Sequence, residues 1–207
     1  MIIKGVTLTN TGYVQDGAIV GGSQLLYLDA GNPASLSGSS ATTWYDLSGY
    51  NMNGTSFTGT TYGGSGTGAY LSFNGSSGSV SLPSNVYSQI TYTGKTVMVA
   101  ANCSAISNQF RCMVGDTGSR NFNFYLQNNA SNQMCIHLSP GNSSGFISNP
   151  IPYTAGTWGI FAATQDTSNN INCYFNGVLV NGGSGGGSGF IQYQSGQSEY
   201  KIGRAHV

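Results

Sequence analysis

The sequence predicts an all-β sandwich of antiparallel strands, and three observations carry that prediction. Apolar and polar residues alternate with a period of two in segment after segment, helical spacing recurs nowhere, and Gly, Asn and Pro turn groups punctuate the chain. Alternation of this kind sends successive side chains to opposite faces of a sheet, so each segment can bury one face and wet the other.

Taken in order, the alternation defines strands over 24–28, 69–73, 79–82, 96–103, 110–115 and 122–126. It continues over 134–138, 158–165, 171–175, 178–180, 190–193 and 200–202. Turn groups such as Asn74-Gly75, Pro140-Gly141-Asn142 and Asn176-Gly177 separate them. Asn176-Gly177 is the clearest hairpin, because both residues tolerate the positive φ of a type I′ turn and apolar triplets flank them. Residues 182–189 contain only Gly and Ser and read as a flexible surface loop. Residues 1–22 alternate weakly, which marks them as an N-terminal arm or edge segment ahead of a sandwich over 23–207.

Composition bounds the function. Among 207 residues, 39% are hydrophobic and 12% aromatic, enough for a sizeable core. Only six Lys/Arg and six Asp/Glu are present, far below the roughly one quarter usual in globular chains, so uncharged polar residues must provide the wet surface. The cations are scattered and the net charge is zero, which argues against nucleic acid as a partner. The N-terminus shows no secretory h-region and no run approaches a membrane span. Production and assembly in a host cytoplasm, without a signal peptide or membrane insertion, are therefore expected. The four cysteines permit two disulfides by count, yet they lie in alternating apolar runs, where cysteine behaves as a small buried hydrophobe.

The most informative stretch is Thr42-Thr43-Trp44-Tyr45-Asp46-Leu47-Ser48-Gly49, followed by Asn53-Gly54-Thr55 and Leu71-Ser72-Phe73-Asn74-Gly75. With Leu26 to Ser35, Trp158 to Asp166, Tyr174 to Val180 and Tyr200 to Ala205, it resembles the laminin-G-like, concanavalin-A-like jelly-roll domains found in phage structural proteins. That resemblance implies a two-sheet antiparallel jelly-roll sandwich. Trp44, Asp46, Phe73, Asn74, Gly75, Asn176 and Gly177 would be its fold-motif residues, and Trp44 and Trp158 would lie in the core. Such domains carry a further strand after the Ile-Gly-Arg segment, so the sandwich is expected to lack a closing C-terminal strand at Val207. Further sequence or the N-terminal arm, in preference to strand addition from another subunit, would supply it.

Chemical apparatus is sparse. The Glu-x-Asp-x-x-Glu cluster of glucanases with this architecture is absent, and Asp29 and Asp46 fall in turn segments where Asp caps backbone N–H groups. His137 sits in an apolar run and His206 near the end, so spacing offers no Ser-His-Asp constellation and no catalytic residue. Family analogy allows calcium, with Asp116 and Asp166 as the candidates; no other cofactor is expected. Tyr50, Tyr62 and Tyr153, with Tyr87, Tyr92 and Tyr193, are candidate sugar contacts, because exposed tyrosine faces can stack on saccharides.

The resulting expectation is a non-enzymatic bacteriophage virion protein, a capsid decoration or a tail- or fibre-associated component. It would act at the virion surface through contacts with other virion proteins and as a homo-oligomer such as a trimer. The alternative is a carbohydrate-binding adhesin or receptor-binding module that takes a cell-surface glycan.

Overall fold

The computed structural model describes residues 1–9, 13–15, 18–20, 24–86, 95–104, 111–116, 123–128, 133–139, 146–166, 170–180 and 200–203. The strands run in chain order as β1 (Ile2–Thr9), β2 (Tyr13–Gln15), β3 (Ala18–Val20), β4 (Gln24–Asp29), β5 (Thr55–Thr58) and β6 (Thr60–Gly63). Next come β7 (Tyr70–Phe73), β8 (Ser79–Leu82), β9 (Lys95–Asn102), β10 (Arg111–Asp116), β11 (Asn123–Asn128) and β12 (Met134–Ser139). The last are β13 (Phe146–Ile147), β14 (Trp158–Gln165), β15 (Ile171–Phe175), β16 (Val178–Leu179) and β17 (Tyr200–Ile202).

Two antiparallel sheets face each other. One has the order β16-β15-β14-β9-β1-β7-β6, with β4 also on β1; the other runs β13-β12-β11-β10-β17-β8-β5. The strands β2 and β3 form a separate hairpin. Alternate residues of both sheets meet in one core. Ile3, Val6, Val97, Val99 and Phe161 come from the first sheet; Val80, Val114, Phe124, Ile136 and Ile202 come from the second. This is the antiparallel sandwich that the alternation predicts, consistent with the jelly-roll class that the resemblance implies. No helix among the described residues is long and apolar enough to cross a membrane.

The N-terminal segment departs from expectation. Residues 2–9 form neither an arm nor an edge: β1 lies inside its sheet, bonded to β9 along one side and to β7 and β4 along the other. The weak alternation has a physical cause. The pairing with β9 shifts register between Ile3 and Gly5, so that Ile3 and Val6, three residues apart, are both fully buried. A bulge inserts one residue and resets the parity of the strand. The expected 190–193 strand, the 182–189 loop and the residues after 203 lie outside the described residues.

Candidate functional site

The Thr42–Gly49 segment is a hydrogen-bonded knot that ties a loop to β4. Trp44 exchanges two backbone hydrogen bonds with Gly54, each 2.8 Å, and its indole is fully buried. A Cβ at Gly54 would lie 2.8 Å from Val80 Cγ1 and 3.2 Å from Trp44 Cβ, so only glycine lets the backbone approach this closely. Asp46 Oδ1 accepts from Tyr27 N at 2.8 Å and Ser48 N at 2.9 Å, while Oδ2 accepts from the Ser48 hydroxyl at 2.7 Å and Met52 N at 3.0 Å. Both oxygens of this carboxylate are committed to capping. Asp29 does similar work, accepting from Gly31 N at 2.8 Å.

The other motif residues are structural as well. Asn74 Oδ1 collects the N–H groups of Ser76, Ser77 and Gly78 at 2.8–3.0 Å, Gly75 turns with φ 80°, and Phe73 is buried. Asn176 and Gly177 have φ 48° and 80°, the two positive values of a type I′ turn. The Asn176 side chain also accepts from Ile160 N at 2.9 Å, fastening the hairpin to β14.

Burial displaces several of the titratable groups. Burial lowers the His137 pKa to about 4, and its ring packs edge-on against Tyr125 with centroids 5.0 Å apart. Lys95, only 6% exposed, is pushed down to about 8 by burial. Cys103, Cys135 and Cys173 are buried thiols, and burial pushes Cys173 up to about 12. Of the calcium candidates, Asp116 ends β10 opposite Tyr200. Asp166 spends its two carboxylate oxygens on the backbone and side-chain amides of Asn170, at 2.8 and 2.7 Å. Among the described residues, no three His, Cys, Asp or Glu side chains gather closely enough to hold a metal ion.

The candidate sugar contacts separate. Tyr153 is a correction: it is 7% exposed, accepts from Cys103 N at 2.7 Å through its hydroxyl, and stacks edge-on against Phe161 and Phe175. Its hydroxyl also lies 2.9 Å from the Thr157 carbonyl, so a core tyrosine has found its polar partners inside. Tyr50 is exposed in the loop after the knot. Tyr62 is half-buried and lines a groove of about 380 Å³. Tyr87, Tyr92 and Tyr193 lie outside the described residues.

That groove follows from the topology. The strands β5 and β6 end the two sheets and are joined by Gly59 alone, so the chain crosses from one sheet to the other there. Leu36, Ala41, Phe57 and Leu71 supply apolar walls, while Ser39, Thr60, Thr61 and Tyr62 add hydroxyls. Among the described residues, no Asp, Glu, His, Lys or Arg lines it.

A second surface escaped sequence reasoning. Trp158 stands 45% exposed on the outer face of β14, not in the core, and Ile160 beside it is 41% exposed. Gly159, Phe161 and Ala163 take the inward positions instead. The Trp158 ring meets Tyr70 of β7, centroids 6.1 Å apart, across the two strands between. In register with Ile160 is Ala100; next along are Ala162 opposite Met98 and Tyr174, and Tyr174 opposite exposed Leu179. Both faces of β14 are apolar, so alternation could not say which residues face out.

A laminin-G family model, described as the concanavalin A-like lectin/glucanases superfamily, matches residues 74–206, more than half of the chain. No curated protein and no solved structure matches.

Proposed function

The chain belongs to the concanavalin A-like lectin/glucanase superfamily, and from that premise we propose a non-enzymatic binding domain that works through protein contacts as a bacteriophage virion component. The carrying observation is the outer face of β14 and its neighbours, where Trp158, Ile160 and Leu179 are all exposed. Soluble monomers seldom leave large contiguous apolar patches open, and such patches mark contact surfaces. The commitment of Asp46 to four hydrogen bonds and the low pKa of His137 support a binding role over an enzymatic one. The particle context rests on the resemblance to phage structural domains and on the scarcity of charge, which suits assembly at the virion surface. Mass spectrometry of density-purified particles from the source should recover the chain as a structural component. Its consistent loss from intact particles during purification would sink this reading.

A carbohydrate-binding module is the second reading, and the groove beside Tyr62 favours it. Neutral hydroxyls next to aromatic and aliphatic walls suit the two-sided chemistry of a sugar ring. On a glycan array at high valency, Tyr62→Ala is expected to abolish reproducible saccharide binding, with Tyr50→Ala having little effect. An array without signal for the unaltered protein would remove the reading.

A further inference from the structure

We propose that Asn74 is a self-modifying site: the amide nitrogen of Gly75 attacks the Asn74 side-chain amide, and water then converts the residue to aspartate or isoaspartate. This chemistry is independent of what the domain binds.

Asn-Gly pairs occur at 53–54, 74–75, 176–177 and 181–182, and the last lies outside the described residues. Glycine leaves the attacking amide unshielded by a side chain in each pair. The fold separates the other three. At Asn53 the nucleophile is taken, because Gly54 N donates to the Trp44 carbonyl at 2.8 Å. The Asn53 side-chain oxygen accepts from one amide, Asp46 N, and that of Asn176 likewise accepts from Ile160 N.

At Asn74 the parts of an acyl-transfer site converge. Its Oδ1 accepts from the N–H groups of Ser76, Ser77 and Gly78 at 3.0, 3.0 and 2.8 Å. When the Gly75 nitrogen adds to Cγ, negative charge develops on Oδ1, where these three dipoles already point. Gly75 N donates to no group among the described residues, and a Cβ at Gly75 would meet nothing within 4 Å, so water can take the proton that the nucleophile loses. The Asn74 Nδ2 lies 3.1 Å from the Ser77 hydroxyl. That hydroxyl hands its proton to the departing nitrogen as the Cγ–Nδ2 bond breaks, and recovers one from water. Ammonia leaves, a cyclic succinimide remains, and water opens it at either carbonyl. Asn74 is exposed, so water reaches every step. Aspartate keeps the three N–H bonds with a full charge on the acceptor, whereas isoaspartate routes the backbone through the side-chain carbon. Either product adds a carboxylate to a chain with six acids.

The test uses an internal control: Phe73-Asn74-Gly75 and Phe175-Asn176-Gly177 share one local sequence, and both asparagines are exposed. The whole chain is incubated at neutral pH, folded and in concentrated urea, and peptide mass spectrometry follows the amide-to-acid change at each pair. In the folded chain Asn74 should react at least about tenfold faster than Asn176, a small share of the 10²–10³ that one oxyanion donor contributes in an enzyme. Asn53 should be the slowest of the three. In urea the hole is gone, and Asn74 and Asn176 should agree within about twofold. Ser77→Ala, at an exposed position, should slow Asn74 by about fivefold or more with an unchanged circular dichroism spectrum. A folded Asn74 no faster than Asn176 overturns the proposal, as does an excess that persists in urea. So does a Ser77→Ala variant that reacts at the parent's rate.

Discussion

Trp44→Ala is expected to destabilise the fold by about 3–5 kcal/mol, the range for removing a fully buried large aromatic and leaving a cavity. Trp44 is fully buried, and its backbone exchanges two hydrogen bonds with Gly54. In a domain of this size each kcal/mol moves Tm by roughly 2–4 °C, so a drop on the order of 10 °C should appear in a thermal melt. Trp44→Phe should cost much less. The indole Nε1 has no hydrogen-bond partner among the described residues, so phenylalanine gives up volume but no bond. Urea unfolding of the three proteins checks the order. An alanine variant within about 1 kcal/mol of the parent would show that the surroundings collapse into the space, contrary to this account.

Asp46→Ala is the second large effect, expected at about 3 kcal/mol through loss of charge-assisted hydrogen bonds. Three backbone N–H groups, from Tyr27, Ser48 and Met52, would lose their acceptor together. The site is half-buried, so water can rehydrate only part of the loss. Asp46→Asn retains one acceptor oxygen and should cost about half as much, whereas a nucleophile or general acid would fail equally in both. Denaturant midpoints of the two variants separate these cases. Equal stability of Asp46→Ala and the parent would remove the capping role.

Much of the fold was legible because burial imposes a period of two wherever one sheet face is wet. The segments 171–175 and 200–202 coincide with β15 and β17 for that reason, and 79–82 coincides with β8 because Ser79 and Ser81 alternate with Val80 and Leu82, although all four are buried. The segments β5 and β6 were not legible: Thr55–Thr58 and Thr60–Gly63 are edge strands rich in Thr, exposed or half-buried throughout, and carry no alternation. For β1 the signal existed but was scrambled by the bulge after Ile3. At the candidate sites, Asp46 and Asn74 were legible as caps because their chemistry is local. Tyr153 was not, because its hydroxyl bonds to Cys103, fifty residues away in sequence. Trp158 was misplaced because Gly159 takes the inward position, below the rings of Phe161 and Phe175.

The interior position of β1 also governs the order in which the molecule can be made. Residues 2–9 pair with β4, β7 and β9, and β9 begins only at Lys95. At about 5–20 residues per second, β1 leaves the ribosome several seconds or more before β9 exists. During that interval one side of β1 has no β9 to close it, and the sheet cannot be completed. Acquisition of the native state is thus limited by a pairing across some ninety residues of chain, which places this domain among slow, topology-limited folders.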